Sequence, residues 1–546
     1  MTTEREKLIE IWLDNATERE YQFAFRSALL FSGYNVIHNT SHTSLELGKD
    51  VIALAPNGEI QAYQLKGNPG GRLTISQWHL LIPQINALVY QPINHPNVDP
   101  QKVHQPFLVT NGEIHEDVAA AIVSYNQRVA ASQPPSKPLK TIARGELFKI
   151  IVDHAAKLWP ADLNLQRQIL NILASDGEDV APQDAYCKLI WSVLGIHDEK
   201  NKFKMERVAA AHLITSIIVQ NWQKKNNLFE VVRIYILLYG AVSAYVEKAG
   251  LKEKAAAHFF QEIEFNIRET LLNFIDWVRR EFDGKPLGDN ILIEFSYFHL
   301  RKRMLMGLFS VAAMDTELEL DDETKDFLWQ FICKSKTKKF VIGEFIVPWC
   351  LAVFWAKLNL QGTNEPVREL AEILSTIVNL NGLKAVNGHI PGPYYGPEEI
   401  IKWKYGAFLG VGLSALDEDS QFRRSWFVEG LFYLIVRRNY KHFCKGIWPD
   451  LTKFLHVRTR LGSRWTFGLT DVDDSTEEDK QIRVPQSWDD VVRTIEQIPA
   501  PDLPANFLKK PIFLLLYCLF VPYRCDSEII LWLDRKLVKS WFNPGS

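Results

Sequence analysis

An acid, an amide and a lysine stand near one another between Gly48 and Gly67: Asp50, Gln64 and Lys66. These side-chain types suit the hydrolysis of a phosphodiester. A carboxylate with neighbouring oxygens holds a hard divalent cation, the cation activates water, and a lysine stabilises the negative charge that develops on phosphate. Whether the three act together depends on the turn between them. Val51 to Ala55 and Ile60 to Leu65 are apolar runs of strand length around Pro56-Asn57-Gly58. A three-residue loop pairs Ala55 with Glu59 and sets Asp50 opposite Gln64; the two-residue period then puts Gln64 and Lys66 on the face of Asp50. A two-residue Asn57-Gly58 loop pairs Asp50 with Leu65 and turns Gln64 and Lys66 to the other face. Proline presets φ for a type I turn, and Gly58 suits the left-handed position that closes the longer loop.

The elements that carry this hairpin are legible on both sides of it. Leu8, Ile11 and Trp12 have helical spacing, and Asp14-Asn15-Ala16 ends their helix. Thr17-Glu18-Arg19-Glu20 reads as a capping box that opens a second helix with Tyr21, Ala24, Phe25, Ala28 and Leu29 as its apolar stripe, stopped at Gly33. Tyr34 to His38 reads as a first strand. Beyond the hairpin, Gly67-Asn68-Pro69-Gly70-Gly71-Arg72 is glycine-rich but lacks the GxxxxGK[ST] pattern of a nucleotide-binding loop. Arg72, and Lys49 on the other side, are the cations placed to meet a nucleic-acid phosphate. Thr74 or Ser76 caps a helix to about Val89 with Pro83 inside it, Phe107 to Thr110 reads as a strand, and Val118, Ile122, Tyr125 and Val129 mark another helix. A short strand at Leu139 to Ile142 and a helix from Gly145 to Trp159 close the unit.

Asp50, followed after a hairpin turn by Gln64-Leu65-Lys66, resembles the PD-(D/E)xK nuclease superfamily, and the glutamine is similar to that of its Mrr-type restriction endonuclease branch. The resemblance covers residues 1–158. It implies an α/β restriction-endonuclease-like domain, a central mixed sheet flanked by helices. It further implies Mg²⁺, for which Mn²⁺ substitutes, held by Asp50, Gln64 and the Leu65 carbonyl, with Lys66 placing the water or stabilising the phosphorane. The family often adds an acidic group from the preceding helix. Glu20 is the candidate here, although a capping glutamate needs no further role, and registration on Gln22 instead leaves no carboxylate from that helix. DNA is the implied partner, cytoplasmic prokaryotic restriction or anti-phage defence the implied setting, and the rest of the chain the part that senses a trigger or docks a protein partner or second copy. A rival from another class is a degenerate nuclease fold that clamps nucleic acid or scaffolds an assembly.

The chain has 546 residues, enough for several domains, and 62 Lys and Arg nearly balance 65 Asp and Glu, so no global basic field advertises nucleic-acid binding. Its 6 cysteines form no CxxC pair, which argues against a zinc ribbon or a disulfide framework and for reduced thiols. The charged start, Met1 to Lys7, does not read as a signal peptide, and the apolar run Ile512 to Val521 is too short to span a bilayer, so no membrane association is expected. From about Asp162 the pattern is helical throughout, and an all-α region is expected, divided into 159–385 and 386–546. Asp471 to Pro504 reads as loop, its acidic run solvated. Lys334, Lys336, Lys338 and Lys339, and Arg458, Arg460 and Arg464, are basic clusters that suit either a solvated face or an electrostatic grip on nucleic acid.

Overall fold

A computed structural model describes residues 4–39, 49–93, 102–131, 136–158, 163–197, 203–251, 257–281, 296–334, 343–361, 363–381, 390–397, 399–400, 424–470, 475–481 and 487–538. They form two compact units: Met1–Asp176 with Ser192–Gly195 and Lys204–Lys224, and the remainder, Gly177–Trp191, Ile196–Phe203 and Lys225–Ser546.

In the first unit α1 (Glu4–Leu13) and α2 (Glu18–Phe31) precede β1 (Asn35–Asn39), β2 (Val51–Leu54), β3 (Ile60–Lys66) and the two-residue β4 (Arg72–Leu73). Then come α3 (Ile75–Tyr90), β5 (Gln105–Thr110), β6 (Glu113–Ile114), α4 (Glu116–Ala130), β7 (Lys140–Ile142) and α5 (Arg144–Leu158). The five-stranded sheet runs β1-β2-β3-β5-β7, antiparallel over its first three strands and parallel from β3 onward, a mixed sheet as expected. β4 and β6 form a separate parallel pair that the sequence pattern did not reveal. On one face α3 and α4 bury Trp78, Ile85, Leu88, Ile122 and Val129 against Ile52, Ala62 and Leu108. On the other, Tyr21 and Phe25 of α2 are fully buried, Phe25 edge-on to Tyr63 with centroids 5.2 Å apart.

The hairpin takes the three-residue loop. Leu54 pairs with Ile60 and Val51 with Tyr63, Gly58 N donates to Ala55 O at 2.8 Å, and Gly58 sits at φ 83°. The ladder ends at Val51 with Tyr63, and Asp50 N also donates to Tyr63 O at 2.8 Å, so Asp50 and Val51 both stand against Tyr63 instead of Asp50 pairing with Gln64 as expected. Beside this hairpin, fully buried Asn111 ties strand end to helix ends: its Nδ2 donates to Leu13 O at 2.9 Å and Ala16 O at 2.7 Å, and its Oδ1 accepts from Asn68 N at 2.8 Å. Arg144, at the start of α5, bonds Asp14 through two nitrogens and Glu10 through one.

The expected division at residues 158 and 385 is not the one the contacts draw. α6 (Leu163–Leu173), α7 (Gln183–Leu194) and α8 (Met205–Lys224) follow, and α5 and α6 both pack against α8, which belongs to the first unit. The physical reason is that α8 is buried nearly all round, from Val208 to Trp222, and α5 supplies one of the surfaces that bury it. The rest of the chain forms one unit rather than two. It contains α9 (Leu228–Lys248), α10 (Ala257–Glu281), α11 (Ser296–Met314), α12 (Asp322–Trp329), α13 (Val347–Gln361) and α14 (Glu365–Asn381). Gly240 of α9 lies against Gly468 so closely that a Cβ on Gly240 would stand 2.9 Å from Gly468 O.

This second unit is largely helical but not all-α. β8 (Arg424–Ser425), β9 (Leu455–Leu461) and β10 (Ser475–Gln481) form a sheet in the order β10-β9-β8. The acidic segment read as loop is in part strand β10, which places Glu478 opposite Arg458. Arg458 is also no free cation: it bonds Glu429, itself 2% exposed, and Glu528. Arg464 bonds Leu503 O and pairs with Glu247. Lys336, Lys338 and Lys339 lie outside the described residues. Among the described residues one helix, Leu228–Lys248, is long and apolar enough to cross a membrane, and 89% of that window is buried inside the protein. The run read as a core helix is one, Pro511–Phe520, with every residue from Phe513 to Phe520 buried.

Asn111→Ala deletes three hydrogen bonds and strands two buried carbonyls, so it should cost on the order of 3 kcal/mol. The check is a lower midpoint in urea with an unchanged slope.

Candidate active site

The sheet ends where the polar groups gather. Asp50, 8% exposed, directly precedes β2, and its Oδ2 accepts from Leu65 N at 2.6 Å and from Gln64 Nε2 at 2.5 Å. Gln64, 3% exposed, also reaches to 3.4 Å from the Leu65 carbonyl. The Asp50 carboxylate, the Gln64 amide and the Leu65 N–H thus meet, while the Leu65 carbonyl, the expected third ligand, lies 3.4 Å from the Gln64 amide nitrogen. A β3 strand displaced by one residue would break both bonds.

Lys66 lies two residues beyond Gln64 and ends β3. Its backbone is fixed by Tyr21, whose hydroxyl accepts from Lys66 N at 3.0 Å and lies 3.1 Å from Lys66 O. That hydroxyl is pushed well above its ordinary pKa, first by burial and then by the charges of Glu18 and, more weakly, Asp50, so it is neutral. The Lys66 ammonium, one-fifth exposed, meets Glu18 Oε2 at 3.4 Å, and the same oxygen accepts from Gly67 N. A Cβ on Gly67 would stand 2.8 Å from Glu18 N, so this glycine is what lets the strand end abut the start of α2.

Two expectations are corrected here. Glu20 does not turn toward the site: its carboxylate accepts from Thr17 N at 2.5 Å while Thr17 Oγ1 accepts from Glu20 N, a complete capping box. The carboxylate of α2 beside the lysine is that of Glu18, which the sequence reading placed only in the cap. The signal that could have found it is helical geometry: a first-turn side chain lies over the N-terminal edge, where the sheet end arrives. Gln22, the other candidate on this helix, is buried. Lys49 is no phosphate contact. It is 3% exposed and donates to Ala87 O of α3 at 3.1 Å, because the residue before Asp50 points inward under that helix. Arg72 stands exposed at the edge of β4, as a phosphate contact requires.

Whether a divalent ion fits can be judged from the donors themselves. Among the described residues no cluster of three or more His, Cys, Asp or Glu is able to hold a metal, and the groups bonded to the Asp50 carboxylate are neutral. Gln64 Oε1 is buried without a hydrogen-bond partner. The amide offers its nitrogen to Asp50; a half-turn exchanges nitrogen for oxygen and aligns a second oxygen donor with the carboxylate. One carboxylate, an amide oxygen and a carbonyl suit Mg²⁺, which keeps several waters and takes remaining ligands from phosphate. Compared with protein families, with curated proteins and with solved structures, the chain finds no match.

The buried lysine gives a pH signature. Burial lowers Lys49 from 10.5 to about 8 in the folded protein. Between these values the unfolded chain holds more protons than the folded one, so stability rises with pH across that window. Lys49→Met keeps the length, removes the buried charge, and should raise stability at pH 7 by about 1 to 3 kcal/mol while flattening the rise between pH 8 and 10.5. Chemical denaturation at a series of pH values measures both.

Proposed function

We propose that the first unit is a metal-dependent phosphodiesterase that cuts DNA, in a restriction or anti-phage defence role consistent with its resemblance to Mrr-type endonucleases. The observation that carries this reading is the hydrogen-bonded group of Asp50, Gln64 and the Leu65 N–H at one sheet end, with Lys66 next along the same strand. A bound Mg²⁺ or Mn²⁺ would supply a lowered water pKa and charge neutralisation at phosphate. Asp50 and the Gln64 oxygen would hold it, with the Leu65 carbonyl as the neutral third donor. Lys66 would leave Glu18 for a phosphate oxygen, an exchange that costs little because a partly exposed pair of this kind is worth about 1 kcal/mol or less. Tyr21 would keep the Lys66 backbone in place during that exchange. Arg72 would hold a flanking phosphate.

A second reading, a nuclease fold used as a DNA clamp, is favoured by one specific observation: the donor set contains a single carboxylate, and its Oδ2 already accepts two hydrogen bonds. Nicking of supercoiled plasmid separates the two readings. The nuclease predicts cleavage with Mg²⁺ that stops with chelator. Lys66→Ala should slow it about 10²- to 10³-fold without loss of fold. Asp50→Ala should act through metal binding and recover in part at high Mn²⁺, and Gln64→Glu, which adds a second carboxylate, should lower the metal concentration needed. Cleavage by Lys66→Ala at the parent rate would remove the catalytic assignment; plasmid retention without nicking would favour the clamp.

A further inference from the structure

The second unit contains a cavity of about 740 Å³, within the size range of small-molecule sites, and every residue that lines it belongs to that unit. Its walls are aromatic and its mouth is charged. Phe274 and Trp277 of α10 line it together with Tyr394, which stacks on Tyr523 with centroids 4.7 Å apart. Trp277 is 36% exposed, whereas Trp349, which lines the same cavity, is buried. An indole left in water at the rim of an aromatic-walled cavity has a flat face to offer.

The polar groups are divided unevenly. The cavity's carboxylates are held by other donors: Glu178 by Lys225, Glu230 by Arg233, and Glu399 by the Gly396 N–H. Arg301 of α11 lines the same space, is exposed, and makes no ion pair among the described residues. The wall beside it is built rather than loose. Asn226 holds a left-handed backbone at φ 55°, and the Asn227 amide donates to Gly177 O, Glu178 O and Asp179 O at 3.1 to 3.4 Å, clamping two segments of the lining together. Because that amide is spent on the clamp, it does not cap α9, and the positive end of the helix adds to the charge of Arg301.

We propose that this cavity binds a nucleotide: a flat heteroaromatic ring received by Trp277 and the aromatic walls, with its phosphate on Arg301. Aromatic faces gain from stacking on any base, and a guanidinium with no carboxylate partner among the described residues is suited to bidentate phosphate binding. The size fits a free mononucleotide. The same chemistry occurs at the end of a nucleic-acid strand, so both sources enter the test. The site stands apart from the nuclease reading, because binding is read directly and in protein carrying Lys66→Ala.

The experiment is calorimetric titration of that full-length protein with the four ribonucleoside mono-, di- and triphosphates, and in parallel with a 5′-phosphorylated oligonucleotide. The expected result is saturable binding of at least one mononucleotide at one per chain, weakened at least 10-fold by Arg301→Ala and by Trp277→Ala, with Arg301→Lys weakened less. Val180, which is 53% exposed in the lining, provides a steric control: Val180→Trp should block binding in a protein whose melting temperature is otherwise unchanged. Failure of every mononucleotide to bind at millimolar concentration would overturn the proposal. So would binding indifferent to Arg301→Ala, Trp277→Ala and Val180→Trp, or binding confined to the oligonucleotide.

Discussion

The site at the sheet end depends on the alignment of β2 on β3, and that alignment depends on the loop at Pro56 to Gly58. With Gly58 at φ 83° the loop holds three residues, and the ladder that follows pairs Leu54 with Ile60 and Val51 with Tyr63. The carboxylate then finds the Leu65 N–H and the Gln64 amide together, at a place where β2 has ended and β3 continues. In effect Asp50 replaces the missing backbone partner of Leu65 with a side-chain oxygen. A polar group this buried is tolerated only when it is satisfied, so the hydrogen bonds that organise the site also hold the last pair of the hairpin in register.

Around that hairpin, helices and strands are joined by buried amides as well as by ion pairs. Asn111 and Asn68 each bridge segments far apart in the chain, and Gln77, which completes the capping box of α3, reaches Asn68 as well. Neutral donors of fixed geometry can be buried at lower cost than charges. Lys66 and Glu18, by contrast with buried Lys49 and Asp50, keep part of their surface in water.

Most of the first unit was legible because its signals are local. Capping boxes, apolar stripes at helical spacing and the residues of one turn placed α2, α3, α4 and the hairpin close to where they lie. What escaped had no local signal. The inward aim of Lys49 is set by α3 passing over it, and Glu18 rather than Glu20 faces Lys66 because Thr17 draws Glu20 back. β10 was invisible because Ser475 to Gln481 has no apolar alternation; its pairing with β9 sets acids opposite a basic strand, as Glu478 against Arg458 illustrates. The joining of α6 and α8 to the first unit is a matter of which apolar faces meet, which periodicity alone does not specify.

The close approach of Gly240 to Gly468 has a consequence for synthesis. α9 is covered by α10 but also by the turn at Arg464–Gly468 and the helices Ala505–Lys509 and Pro511–Phe520, which leave the ribosome much later. Until they arrive, a nascent chain carries an exposed helix as apolar as a membrane span. The second unit therefore has a long-range folding reaction, slow by topology, and the interval before closure is when chaperones, membranes and neighbouring nascent chains compete for that helix.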